Sequence, residues 1–598
     1  MGTLIENLLV TARERQLDRF AAAYAVGGWL LVQAASIALP AFDAPAWSLR
    51  WLIVATIVGF PLMLVSGWVL NKRGVTTGTR GSLKSHEAVF LALIALAALL
   101  SLGELAWHWS AMTPSNPAAQ TQTSTALAGS VAVLPFDNMS ADSRQKYFSE
   151  GISAELINLL ARNPALHVTA RTSAFFFEGK SLDIREIAQK LNVRSVLEGS
   201  VSTDAGHVHI DVALVNAADG YQLWSQSYDR SLNDILAVQS EIAASIAAAL
   251  APTLTGVHPK PNVPKPIQID PNVYRDYLQA QFYFDQRLGE GETAASKAAV
   301  TMALALFRKV AAAAPDFADG QAGLASVLAY SQTDAESEDQ IHQALQRALA
   351  LDPENPQALE VAIGDTRDWD ARIRYASILK RAGIRTPAGA RGLGNAYFEF
   401  ALNDEAVAQF AKWAALDPLS FEAWHSVVNA TFADARYAET VTTSDQALAL
   451  HPNDPTILQY RCVSLAYLHR IAEAKAALNI ISQPGIPKPL TTHCKFFILL
   501  NSEGDKAAIA FVHSVLAHDP KDAGTIGDVG FMLSHTSAVD EAMDDYEKAL
   551  HSHQFGFGFY PGKSAPQSFL NSPRWIAFTQ DPKYRAWAAA RERAKQQL

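Results

Sequence analysis

Cysteine is almost absent: Cys462 and Cys494 are the only two in the chain. That excludes a disulfide-dense scaffold and any four-cysteine metal site. Charge is sparse too, with charged residues at 18% against 49% apolar. A net charge of −10 at pH 7 leaves no basic surplus of the kind wholesale nucleic-acid binding needs. Between residues 130 and 252 there is no glycine-rich phosphate loop and no G-x-S-x-G elbow. What is present is a 598-residue chain, long enough for about three or four folding units.

Apolar residues concentrate before residue 110. Phe20–Leu39 and Trp51–Leu70 are uncharged, and Ala88–Trp107 is interrupted only by Glu104. Each run approaches the roughly 20 residues that a membrane-crossing helix requires. The expectation is a membrane domain over 1–112, with crossings at about 20–39, 51–70 and 88–107. Arg13, Arg15 and Arg19 precede the first run, and Lys72, Arg73, Arg80 and Lys84 separate the second from the third. The positive-inside rule then places the amino terminus in the cytoplasm of a bacterial inner membrane and residues after about 110 in the periplasm. Residues 113–129, rich in Ser, Thr, Gln, Ala and Pro, read as a flexible linker.

Residues 130–252 read as a small mixed α/β domain. Val131–Phe136 is apolar on both faces, as a covered strand is. Phe148, Ile152, Leu156 and Leu160 recur every four residues, as on one helix face. Val193–Thr203 and His207–Val215 flank Asp204-Ala205-Gly206, which predicts a hairpin. A third strand over Tyr221–Tyr228 and a closing helix through Ile235, Ile242, Ile246 and Leu250 complete it.

Several separated stretches here carry a resemblance: Val131–Ser140 (VAVLPFDNMS), Tyr147-Phe148, Glu150-Gly151-Ile152, Val196–Val201 (VLEGSV), Leu223-Trp224 and Tyr228-Asp229-Arg230. They are similar to the TolB amino-terminal-like domain, of the type associated with adenylate cyclases. The resemblance implies a bacterial membrane protein that also carries tetratricopeptide repeats. In such relatives a cyclase, kinase or winged-helix domain often precedes the membrane segment, and too few residues precede Phe20 to hold one.

Candidate chemistry is thin. His207, His209 and Asp211 alternate along one strand and read as its solvated face rather than a metal set. Asp137, Asn138 and Asp142 lie in the loop after the first strand, where open α/β sheets often place ligands. They form a candidate ligand loop, against which turn-forming and capping roles weigh. No catalytic, cofactor-binding or metal-ligating residue is assigned.

A proline-rich spacer covers 253–271, and the chain then turns repetitive. Pro315, Pro353, Pro387, Pro418, Pro452, Pro484 and Pro520 stand 31 to 38 residues apart. A period near 34 with a terminal proline predicts an all-α tetratricopeptide-repeat solenoid over 272–555, of six or seven repeats. Leu393, Gly394, Tyr397, Ala406, Phe410 and Pro418 follow the repeat's order of packing positions. Trp424 opens the next repeat, and Gly530, Ala542 and Tyr546 belong to the last. Cys462 and Cys494 fall at equivalent positions of neighbouring repeats. The usual helix spacing of about 8–10 Å predicts two packing cysteines, not a disulfide. Residues 556–598 read as a helical cap.

The expected function is a non-enzymatic scaffold that presents the α/β module and the array for protein or peptide binding, in envelope sensing. It uses no cofactor and no nucleic acid and leaves the oligomeric state undetermined. The alternative is a regulatory subunit working with a separate cyclase, kinase or transcription regulator.

Overall fold

The computed structural model describes residues 127–598, except 205, 232–233, 252–268, 287–293, 332–334, 384, 525–527 and 552–564; before residue 127 it describes only Tyr24, Gln33 and Thr56. The chain divides into two units, Met1–Thr123 and Ser124–Leu598. In the first, the Tyr24 hydroxyl donates to the Thr56 carbonyl at 2.9 Å.

The expected membrane domain requires correction. Among the described residues no helix is long and apolar enough to cross a membrane. The longest described helix, Ala294–Ala313, carries Lys297, Arg308 and Lys309. The three-helix anchor, the inner-membrane placement and the periplasmic side therefore have no support. The runs at 20–39, 51–70 and 88–107 lie outside the described residues apart from Tyr24, Gln33 and Thr56. The physical reason is that an uncharged run of about 20 residues is necessary for a crossing but not sufficient for one.

The second unit begins with a six-stranded sheet. Its strands are β1 (Ser130–Val133), β2 (Asp137–Asn138), β3 (His167–Val168), β4 (Ser195–Asp204), β5 (His207–Asn216) and β6 (Gln222–Ser231). The order is β3-β1-β4-β5-β6, with β2 beside β4. β1 pairs parallel with β3 and β4, whereas β4, β5 and β6 form an antiparallel meander. Between the strands lie helices α1 (Lys146–Ala161), α2 (Arg171–Phe175) and α3 (Ile184–Leu191), and α4 (Ile235–Leu250) follows β6.

Burial follows from side-chain alternation. Val131 and Val133 of β1 meet Ile152, Leu156 and Leu160 of α1 and Ile242 and Ile246 of α4. Ala132 and Val196 point the other way, onto Phe177, Ile187 and Leu191. On β5, Val208, Ile210, Val212 and Leu214 all join the core on the α1 side. Their alternates His207, His209 and Asp211 are exposed, which gives the half-wet pattern of an antiparallel strand.

α5 (Pro271–Asp285) lies on α1. A Cβ added at Gly151 would sit 3.0 Å from the Leu278 Cβ, so the missing side chain lets the two helices approach closely. One continuous core runs from β1 through Tyr274, Tyr277 and Leu278 to Phe307, Phe317 and Val327 of the first array helices.

From α5 onward the chain is a stack of antiparallel helix pairs. First helices start at Pro271, Ala318, Pro356, Pro387, Phe421, Pro455, Lys488 and Asp528. Asp270, Asn355, Thr386, Ser420 and Asp454 each cap the following helix with a side-chain oxygen, and proline at the first helical turn needs no N–H partner. The turns inside three successive pairs put Ala401, Ala435 and His469 at φ 51, 58 and 56. They are 34 residues apart, so the repeat is written in backbone conformation as well as in sequence.

The repeat positions pack as a tetratricopeptide pair requires. A Cβ on Gly394 would meet the Phe410 ring at 2.5 Å. Leu393, Tyr397, Ala406 and Phe410 are buried around it. Ala542 and Tyr546 are buried in the last pair, where Tyr546 meets Phe569, Trp575 and Phe578 of the closing segment. Trp424 is half-buried and donates Nε1–H to the Pro418 carbonyl at 2.9 Å.

The cysteines depart from expectation: Cys462 and Cys494 form a disulfide, with Cα atoms 5.7 Å apart. Helix spacing measures axis to axis. Two small residues facing each other across the interface of 455–467 and 488–502 bring their Cα atoms inside that distance.

Candidate functional site

The loop after β1 is closed upon itself. Asp137 and Asn138 form the short β2 beside Ser200 and Val201. Asn138 Oδ1 accepts from the Ser140 N–H at 3.1 Å, and its Nδ2 donates to the Asp142 carbonyl at 3.2 Å. The Asp142 carboxylate takes the Arg144 guanidinium, which holds its pKa below the usual range. The three residues are therefore in one loop, with the polar groups of Asn138 and Asp142 turned onto the loop's own atoms and Asp137 exposed.

On the open face of β5, His207 lies 3.7 Å from Asp229, and His209 lies 3.3 Å from Asp211. Ser227 donates to the Asp211 carboxylate. Among the described residues no group of three or more His, Cys, Asp or Glu is arranged to hold a metal ion.

Two long-range seams have no sequence signal. At the first, the module grips the array. The Ala170 N–H donates to the Leu416 carbonyl at 2.7 Å. Ser173 donates both N–H (3.0 Å) and hydroxyl (2.5 Å) to Asp417 Oδ1, and its Oγ accepts the Leu419 N–H at 2.8 Å. Asp417 is 3% exposed. Burial raises its pKa to about 6 against the opposing hydrogen bonds from Ser173 and Thr172.

At the second seam the closing helix Pro582–Gln597 returns to the middle of the array. Tyr397, expected only to pack, donates its hydroxyl to the Leu598 carbonyl at 2.9 Å across 201 residues. The Trp587 Nε1–H reaches the Glu399 carbonyl at 3.0 Å, and Arg591 Nε reaches the Phe400 carbonyl at 2.9 Å.

Between these seams and the distal end, helices 421–433 and 455–467 share a row of rings and amides. Phe421 and His425 stand 6.0 Å apart, His425 and Tyr460 6.1 Å, and Tyr460 and Phe432 5.1 Å. The Tyr460 hydroxyl donates to Asn429 Oδ1 at 3.1 Å. Tyr437 stacks on Tyr467 at 4.2 Å, and Tyr467 meets Phe497 at 5.2 Å. Phe421, His425, Asn429, Phe432 and Tyr460 are all half-buried. Desolvation pushes Tyr460 up to about 12 and His425 below its ordinary value. The row thus presents ring faces and the Asn429 amide, groups suited to stacking and hydrogen bonding. Only Trp424, its neighbour on the same helix, was singled out from the sequence. A step of one residue along that helix was enough to miss His425.

No family model matches the chain. A stretch of 153 residues is 43% identical to "Putative adenylate cyclase 3" of Rhizobium meliloti (strain 1021), covering 25% of this chain and 26% of that protein. The chain therefore spans about a quarter of that relative's length. Among solved structures, Pseudomonas aeruginosa PilF is 16% identical over 41% of this chain and 93% of its own, with a TM-score of 0.25. Yeast Tom70 is 12% identical over 97% and 96%, with a TM-score of 0.27. Superpositions this loose carry no argument; the repeat fold stands on the helix pairs described above.

Proposed function

We propose that the chain is a non-catalytic scaffold whose helical array binds a protein or an extended peptide. The observation that carries this reading is the half-buried row Phe421–His425–Asn429–Phe432–Tyr460. It offers ring faces and the Asn429 amide across two adjacent repeats, and stacked helix pairs commonly present such surfaces to partners. The module over 130–252 keeps its TolB-like assignment as part of the proposal. It acts as a platform that holds one edge of the array through Ser173 and Asp417. We assign the array to 272–555 and the cap to 556–598.

A displayed library of random extended peptides, selected against the whole chain, tests this. Selected peptides should lose binding to the Tyr460→Ala and His425→Ala variants while the melting curves stay close to that of the parent chain. Equal binding to both variants would remove the row from the proposal.

A second reading is a regulatory partner of a separate nucleotide cyclase. It is supported by the 43% identity to part of the Rhizobium meliloti protein. Mixing the chain with that protein and measuring cyclic-nucleotide production distinguishes the two readings: an unchanged rate disfavours the second.

A further inference from the structure

We propose that the cavity between α1, α5 and the array binds a small organic cation, a primary amine or diamine, with Glu155 as its counter-charge. This goes beyond peptide binding by the array and concerns a different place. The cavity has a volume of about 170 Å³. Glu155, Asn158 and Arg171 line it from the module, Gln281 and Phe282 from α5, and Gln357 from the array.

The argument starts from an uneven ledger of charge. Arg171 is already spent, since its guanidinium pairs with Glu150 and with Asp285. Glu155 is different. Its Oε1 accepts the Tyr277 hydroxyl at 3.2 Å and the Asn158 amide at 3.4 Å. Among the described residues no Lys, Arg or His lies within ion-pair distance of it. Its charged surroundings are Asp319, Arg162 and Arg171, with Tyr274 and Tyr277 facing it from α5. Desolvation and Asp319 push its pKa up to about 7. Glu155 lines the cavity without an ion-pair partner of its own, the Arg171 guanidinium being held by Glu150 and Asp285, and a cation brought from outside would relieve it.

The rest of the lining selects the type of cation. The donor set is wrong for a metal, because no cluster of three or more ligating side chains forms among the described residues. An ammonium suits it better. The three amides can accept its N–H groups, and the Phe282 ring offers a cation–π face. Occupancy would tie module, α5 and array together at one point, because residues from all three line the site.

The experiment is calorimetric titration of the whole chain with putrescine and, separately, with its diol analogue. Putrescine should bind saturably and the diol should not. Affinity should rise as pH climbs through about 7, where Glu155 loses its proton. Glu155→Gln should weaken binding by about tenfold or more, and Asp229→Asn on the exposed edge strand should leave it unchanged. Melting curves establish that each variant is folded. Should Glu155→Gln fail to fold, the diamine–diol comparison and the pH profile on the parent chain decide alone. No saturable heat with putrescine, equal binding of the diol, or full affinity in a folded Glu155→Gln variant overturns the proposal.

Discussion

The module with its first helix pairs and the distal pairs of the array are held together in opposite ways. Around β1 and α5, a single core joins residues from Val131 to Val327. It mixes sheet, crossover helices and repeat helices, so its contacts are long-range. From Val441 to Phe578 a second core is built almost wholly between neighbouring helices, and it contains the disulfide. The first helix pair of the array is therefore completed by the module. The distal half is quasi-one-dimensional, each pair leaning on the next. Damage should spread in the first half and stay local in the second.

The largest expected effect tests that difference directly. Phe307 is fully buried in the proximal core, and Phe307→Ala should cost about 3–5 kcal/mol. Hydrogen exchange should then quicken in α1, β1 and α5 together. Phe497→Ala, equally buried in the distal core, should quicken exchange only in helices near 455–551. If both variants loosen the same segments, the two cores are one.

Replacing both Cys462 and Cys494 by Ser opens a loop closed across 32 residues. The chain-entropy account gives a loss of about 3–4 kcal/mol. It should appear as an earlier distal transition in a thermal scan, with the module's transition unmoved.

The module–array seam should respond to Asp417→Ala by about 1–3 kcal/mol, because two Ser173 donors lose their buried acceptor. Asp417→Asn keeps an acceptor and should cost less. Proteolysis near residues 416–420 reads the difference.

Acidification should move the halves apart. Asp417 has a pKa raised from 3.8 to about 6, so its folded form holds the proton more tightly; its contribution is full below 3.8 and is lost as pH rises through 6. His535 is the reverse: burial lowers it from 6.5 to about 4, so its contribution is lost as pH falls through that window. Between pH 6.5 and 4, exchange should therefore slow at the seam and quicken around 528–551. Asp417→Asn should abolish the first trend only.

The smallest effect is Tyr397→Phe. It removes one buried hydrogen bond to Leu598 and should cost about 0.5–1.5 kcal/mol. Limited proteolysis should release the closing helix while the distal core stays intact.

Legibility followed the range of the interactions. The helix over Lys146–Ala161 and the β4–β5 hairpin lie where periodicity and the Asp204–Gly206 turn place them. Gly394 and Phe410 meet because the repeat spacing sets both. Glu155 gave no signal, because its cavity needs α5 and Gln357 brought against it from more than a hundred residues away. The membrane assignment has no support among the described residues, and hydropathy by itself reports only what a segment could be buried in.

By itself, then, the sequence determined the local grammar of this protein. Caps at Thr386, Ser420 and Asp454 and prolines at helix starts act within one or two turns of helix, and the 34-residue period repeats them along the chain. Tertiary structure alone decided what those pieces enclose. Ser173 on Asp417 and Leu598 on Tyr397 depend on how segments some 200 residues or more apart meet, and Cys462 on Cys494 at 5.7 Å on how closely neighbouring pairs pack. Each of these contacts joins surfaces supplied by separate segments, so no single residue encodes it.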